Sequence, residues 1–329
     1  MKAVRFSAFG PPLDVVQVVD ESPGPLAPGE ALVEVLATPI NPSDVMTLLG
    51  VYGVLPKLPA VPGNEGVGRV VEVSGSDAVK PGQLVFLPMG SGTWRTHLKA
   101  RADRLLSVPP GGDLKQLSML SINPPTADLL LREFVPLQPG EWLIQNAANS
   151  AVGRYLITLA KRAGYRTVNV VRREELVAEL KALGADVVLV DGPDLPKHVH
   201  EATGGASVRL GIDAVGGSAT TRLGDAIAPR GVVVNYGAMS NKGPSLSAAA
   251  TIFKDVTLRG FWLVNWFNHA SREEQHALMG RLTKLIVEGV LHAPVEGTFT
   301  LENIQEALTR AMEGGRQGKV LLTPNGEVK

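Results

Sequence analysis

The sequence predicts an α/β protein of two domains: a mostly β domain built from both ends of the chain, and a doubly wound parallel-sheet domain between them. Three observations lead there. The first ~110 residues hold short valine-rich runs separated by proline and glycine turns. After about Asp113, short apolar runs alternate with helical stretches. From Ala293 to Pro324, short strand-like runs return around one helix. The expected domains are 1–112 with 292–329, and 113–291.

Taken in order, the first domain has strand patterns at Ala31–Ala37, Gly68–Ser74 and Leu84–Leu87. The turns Ala27-Pro28-Gly29 and Lys80-Pro81-Gly82 separate them. In the second domain the expected strands are Trp142–Asn146, Thr167–Val171, Val187–Val190, Leu210–Val215, Val232–Tyr236 and Thr257–Leu263. Helical periodicity covers Arg154–Ala163, where Leu156 and Ala160 fall on the face of Val152, and Gly164 marks the stop. Further helices are expected at Glu174–Leu183, 271–288 and 301–313. Strands alternating with helices make a parallel sheet covered on both faces, and six of them match a dinucleotide-binding fold.

Composition narrows the function. The chain has 329 residues, with 32 lysines plus arginines against 32 aspartates plus glutamates. That balance gives no electrostatic reason to expect nucleic acid or an anionic membrane as partner. There is no cysteine, which excludes disulfides, thiolate metal sites and a cysteine nucleophile. No apolar run reaches ~18 residues without a charge, so no membrane span is expected. The start, MKAVRFSAFG, enters a strand pattern at once and does not read as a signal peptide. A cytoplasmic protein is the expectation.

Two regions carry chemistry. The loop after the first strand of the second domain reads Ala147-Ala148-Asn149-Ser150-Ala151-Val152-Gly153. Its backbone N–H groups and the following helix N-terminus suit a pyrophosphate. It is a degenerate glycine motif, and Asn149 or Ser150 also makes sense simply as a helix N-cap. At the end of the second strand stand Arg172 and Arg173, where an acidic residue would select NAD. Guanidinium groups match a 2′-phosphate, so NADPH is expected; the plain alternative is two solvated arginines. The other region is Asn41–Gly68, in which Tyr52, flanked by Gly50 and Gly53, is the side chain able to give up a proton.

With these pieces in view, the chain resembles the medium-chain dehydrogenase/reductase superfamily over essentially its whole length. Within it the chain is most similar to zinc-free 2-enoyl thioester reductases, the mitochondrial-type trans-2-enoyl-CoA/acyl-carrier-protein reductases. The matching blocks are INPSD at Ile40–Asp44, GVYGVLPKLPAVPGNEGVG at Gly50–Gly68, GTWRT at Gly92–Thr96 and INPPTA at Ile122–Ala127. IQNAANSAVG at Ile144–Gly153, NVVR at Asn169–Arg172, NYGAM at Asn235–Met239 and FKDVTLRGFWL at Phe253–Leu263 complete the set. Where a zinc alcohol dehydrogenase carries Gly-His-Glu, this chain reads Gly63-Asn64-Glu65. An asparagine amide is a poor zinc ligand beside imidazole or thiolate, so no metal is expected.

The resemblance implies a GroES-like catalytic domain and a Rossmann cofactor domain. It implies that Tyr52 is the catalytic tyrosine and that Asn123 faces the nicotinamide. Asn149, Ser150, Ala151 and Val152 would hold the pyrophosphate, and Arg172 with Arg173 the 2′-phosphate. Tyr236, Gly237, Ala238 and Met239, then Phe261, Trp262 and Leu263, would be later cofactor and active-site contacts. Lys319 would close over the cofactor. Asn41 is expected in the substrate frame, and Trp94 either lines an acyl channel or sits in the core. Glu65 is expected to hold the backbone of the substrate loop. The activity implied is NADPH-dependent reduction of the C2=C3 bond of an enoyl-CoA or enoyl-acyl-carrier-protein. NADPH:quinone or enone reduction is the alternative, and a non-catalytic cofactor-binding protein a third. Relatives pair edge strands, so a homodimer is expected, with Arg259 at the interface.

Overall fold

The computed structural model describes residues 1–328. It divides into two compact units, Met1–Ile122 with Met279–Lys329 and Asn123–Leu278. The first unit opens with β1 (Lys2–Phe6) and β2 (Val16–Asp20), paired antiparallel. The ten-residue β3 (Glu30–Pro39) then runs through the middle of a larger sheet. It pairs antiparallel with β4 (Val67–Val73) and β6 (His97–Arg101), while β5 (Leu84–Phe86) and β7 (Leu106–Ser107) extend the sheet beyond β4. Ala31, Val33, Val35, Val70, Val85 and Leu98 form its core. These are alternate, β-branched or small residues facing one side, as a half-buried strand requires.

The second unit is a six-stranded parallel sheet. Its strands are β8 (Trp142–Gln145), β9 (Arg166–Val171), β10 (Val187–Val190), β11 (Val208–Asp213), β12 (Val232–Asn235) and β13 (Thr257–Gly260). The spatial order is β10-β9-β8-β11-β12-β13, with every pair parallel. The order reverses at β8, so β8 and β11 flank the switch point where such sheets take their ligands. Each expected strand is present within two or three residues of its predicted bounds. The helix Ala151–Arg162 starts three residues earlier than its periodicity indicated, because Ser150 caps it.

The chain then returns to the first unit. β14 (Val295–Phe299) and β15 (Lys319–Leu322) join its sheet, β15 lying antiparallel against the end of β3. The helix Ile304–Met312 packs Ile304, Ala307, Leu308 and Ala311 into a core with Phe6, Ile40, Leu48 and Trp94. The unit also reaches beyond the expected 1–112 and 292–329. Gln116 exchanges two hydrogen bonds of 3.0 Å with the backbone of Ala293, which ties the segment after Asp113 to the tail. Among the described residues no helix is long and apolar enough to cross a membrane.

Candidate active site

In the first unit, the residues after β3 form a buried polar cluster. Asn41 precedes the helix Pro42–Leu48, whose Pro42 needs no N–H partner in the first turn. The Asn41 backbone N–H donates to Asp44 Oδ2 at 2.7 Å, fixing the turn. The Asn41 amide is engaged at both ends. Its Oδ1 accepts from Lys319 Nζ at 2.5 Å, and its Nδ2 donates to Glu65 Oε1 at 2.8 Å. Glu65 Oε2 accepts the Ile122 N–H at 3.0 Å, and Asn64 Nδ2 donates to Asp44 Oδ1 at 2.6 Å. Lys319 Nζ also donates to the Ile40 carbonyl at 3.2 Å. Glu65 is fully buried, and Asn41, Asp44 and Lys319 nearly so.

Burial dominates the electrostatics here. It pushes the Asp44 carboxyl up to about 6, against the Asn41 backbone hydrogen bond, Lys319 and Asn64. It pushes Glu65 up as well, opposed by Asn41 and Lys319. It lowers the Lys319 ammonium, which Glu65 and Asp44 work to keep charged. The cluster is therefore two carboxyl groups sharing one ammonium through amides.

This geometry places three of the expected residues. The Lys319 ammonium is held by Asn41 and Ile40 inside the first unit. Asn41 engages Lys319 and Glu65 with the two ends of its amide. Trp94 is fully buried in the core with Phe6, Ile40 and Leu48, one of its two expected places. Glu65 holds backbone, since it accepts from Ile122 while its own carbonyl accepts from Thr38 and Thr93 at 2.7 and 3.1 Å. The conformation around it needs Gly63, at φ +101°, where any side chain would collide with Thr93 and Trp94.

Tyr52 lies beyond the helix Pro42–Leu48, after a turn at Gly50 with φ +75°. It is half-buried, and Val51, Val54 and Leu55 around it are exposed. A Cβ on Gly50 would come within 2.9 Å of Phe9, so this loop is packed closely against Phe9 at its root.

In the second unit, the expected cofactor residues lie at the carboxyl ends of the strands. Ser150 Oγ caps the helix Ala151–Arg162 by accepting the Gly153 N–H at 3.1 Å, with Val152 buried in its first turn. A Cβ on Gly153 would sit 2.5 Å from the Ala148 carbonyl oxygen, so only glycine lets the helix start this close to the loop. Asn149 offers its carbonyl to Arg154 Nε at 3.1 Å. Arg172 is exposed after β9, while Arg173 pairs with Glu175 at 3.4 Å. The Tyr236 side chain hydrogen-bonds Ser150, and burial pushes its phenol above the ordinary value. Gly237, Ala238 and the exposed Met239 follow β12. Phe261 packs edge-on against Phe134 at 5.9 Å, next to Trp262 and the buried Leu263. Asn123 is buried at the start of the helix Asn123–Arg132. A capped helix N-terminus, a glycine that allows close approach and an exposed guanidinium past β9 fit NADPH.

Two family models match the chain: an alcohol dehydrogenase GroES-like domain over residues 27–110 and a zinc-binding dehydrogenase over 151–282. The fold is that of a medium-chain dehydrogenase/reductase. The chain belongs to that superfamily and, within it, to the 2-enoyl thioester reductases. It is 38% identical to the mitochondrial enoyl-[acyl-carrier-protein] reductase of Rattus norvegicus, over 98% of this chain and 88% of that protein. It also resembles a putative NADPH:quinone reductase from Bacillus thuringiensis, with TM-score 0.90, 31% identity and 98% of both chains covered. A solved complex of Etr1p with NADP and crotonyl-CoA has TM-score 0.89 at 28% identity, covering 98% of this chain and 99% of that one. The cytoplasmic expectation is overturned by the relatives, which are named mitochondrial.

Zinc does not fit this donor set. The position where a zinc enzyme carries histidine holds Asn64, whose Nδ2 donates to Asp44; nearby, Asn41 Nδ2 donates to Glu65 and an ammonium lies on Asn41 Oδ1. A cation placed there would meet Lys319. Among the described residues no group of three histidine, cysteine or acidic side chains is arranged to hold a metal.

Asp44 supplies a pH test. Its folded value lies above its ordinary 3.8, so its contribution to stability is full below that value and is lost as pH rises through about 6. Asp44→Asn removes this dependence. The stability gap between wild type and variant is expected to narrow by about 1 kcal/mol from about pH 5 to about pH 7.5. Urea unfolding at both values reads it; a gap that stays constant or widens contradicts the assignment.

Proposed function

We propose that this protein reduces the C2=C3 double bond of 2-enoyl thioesters with NADPH and without a metal. The observation that carries the reading is the catalytic frame of Asn41, Asn64, Glu65 and Lys319 beside the Tyr52 loop, in a chain similar over its length to an enoyl thioester reductase. NADPH, which the Ser150-capped helix N-terminus and Arg172 would hold, would supply the hydride for the β-carbon. The remaining tasks fall to the protein. Charge that builds on the thioester oxygen needs hydrogen-bond donors, and the α-carbon needs a proton. Tyr52, whose phenolic O–H is a hydrogen-bond donor, supplies the proton or holds the enolate oxygen. The exposed Val51, Val54 and Leu55 give the apolar part of an acyl chain a surface beside it.

The second reading, NADPH:quinone reduction, is favoured by the similarity to the putative quinone reductase from Bacillus thuringiensis. NADPH oxidation measured side by side with crotonyl-CoA, a long-chain enoyl-CoA and a benzoquinone separates them. Turnover of the thioesters is expected, and turnover of the quinone alone overturns the first reading. Tyr52→Phe is expected to lower kcat on crotonyl-CoA by about 10²-fold or more. An unchanged kcat removes Tyr52 from the mechanism.

Arg172 and Arg173 are proposed to bind the 2′-phosphate. Arg172→Ala is expected to raise KM for NADPH by about tenfold while leaving KM for NADH nearly unchanged; equal effects on both would contradict the assignment.

A homodimer is proposed to form through β13, an edge strand whose Arg259 and Gly260 are exposed. Ile252 and Phe253 beside it are 70% and 82% exposed, an apolar surface that a second copy would cover. Light scattering should give twice the chain mass for wild type and the monomer mass for Phe253→Asp. A wild-type monomer at micromolar concentration rules the dimer out.

A further inference from the structure

Asp213, at the carboxyl end of β11, is fully buried, and its carboxylate collects five donors. Oδ1 accepts from Asn146 Nδ2 at 2.5 Å and from the backbone N–H groups of Val215 and Gly216 at 3.0 and 3.1 Å. Oδ2 accepts from the Thr220 hydroxyl at 2.6 Å and from Asn235 Nδ2 at 2.8 Å. None of these donors is a cation. A buried carboxylate without an ion-pair partner is costly unless its lone pairs are satisfied, and here neutral donors satisfy them.

The two asparagines carry the tie onward. Asn146 Oδ1 accepts the Ala214 N–H at 2.8 Å, and Asn235 Nδ2 also donates to the Gly237 carbonyl at 2.8 Å. Backbone bonds lace the same segments: Tyr236 N–H to the Asp213 carbonyl at 2.9 Å, Met239 N–H to Ala214 at 3.1 Å and Ser240 N–H to Val215 at 2.9 Å. There is little slack. A Cβ on Gly237 would lie 2.8 Å from the Ala214 carbonyl oxygen, and one on Gly216, at φ +82°, would collide with the Lys242 carbonyl. Three loops, 146–150, 213–217 and 235–239, thus hang on one side chain. They leave the carboxyl ends of β8, β11 and β12, at the switch point and just beyond it.

We propose that Asp213 is a positioning residue for the pyrophosphate and nicotinamide part of the cofactor. It shapes the three loops that would receive that part, while the 2′-phosphate end depends on the loop after β9. The proposal rests on the NADPH reading above. A residue that merely stabilises the fold would weaken all cofactor fragments alike. One that shapes these loops weakens ligands carrying the pyrophosphate and nicotinamide and spares 2′-AMP, which has the adenosine and 2′-phosphate alone.

Asp213→Asn keeps the side-chain size but turns one acceptor into a donor. Calorimetric titration of the full chain reads Kd for NADPH and for 2′-AMP, with thermal unfolding confirming that the variant is folded. NADPH is expected to weaken by about tenfold or more and 2′-AMP by less than about twofold. Equal weakening of both ligands, or unchanged NADPH affinity, overturns the proposal. If Asp213→Asn does not fold, Thr220→Val removes one donor of the five and decides by the same ratio. Wild-type protein that binds neither ligand instead overturns the NADPH reading itself.

Discussion

The hydrogen bond from Lys319 to Asn41, continued to Glu65, is the constraint on which the catalytic unit depends. It joins residues 278 apart in sequence, so the start of the helix Pro42–Leu48 is fixed only once the tail strand β15 has docked against β3. That helix leads into the turn at Gly50 and so into Tyr52. A buried ammonium beside two buried carboxyl groups is not a free source of stability. Desolvation offsets much of the attraction, whereas removing one member leaves an uncompensated charge costing about 3–5 kcal/mol. Such an arrangement fixes one geometry more than it strengthens the fold.

The same cluster underlies the proposal that the site works with a different kind of electrophile. In a zinc enzyme the cation polarises the carbonyl. Here the cation is an ammonium already committed to Asn41 and Ile40, and the two asparagine amides orient carboxyl groups instead of binding metal. In the proposed mechanism polarisation falls to hydrogen-bond donors and the proton to Tyr52. The second unit repeats the principle with other residues: a buried carboxylate, Asp213, is satisfied by amides, a hydroxyl and backbone N–H groups, and organises loops in place of an ion.

Much of the fold was legible in the sequence because it is written locally. Alternating apolar runs and helical periodicity located all six strands of the parallel sheet, and their spatial order is that of the expected doubly wound fold. The Tyr52 loop and the Arg172 turn were legible as residue types at strand and loop positions. What was not legible is long-range. Nothing in the run QGKVLL shows that Lys319 meets Asn41, and a lysine near the tail reads equally well as a cofactor clamp. Trp94 carries no periodic signal to tell a core from a channel wall, and only the packing of Phe6, Ile40 and Leu48 around it does. The first compact unit extends past the expected bounds where Gln116 pairs with Ala293, a contact across 177 residues that composition does not record. Asp213 had a faint signal, an acidic residue at a strand end before Gly216-Gly217, but its hydrogen-bond partners come from three separate segments.

The most direct test of the account is the metal content of active enzyme. Zinc per chain should be measured by mass spectrometry on protein turning over NADPH and crotonyl-CoA, before and after treatment with a strong chelator. The account predicts zinc far below about one per chain and turnover unchanged by chelation. Turnover that falls as zinc is removed and returns when zinc is restored would contradict it.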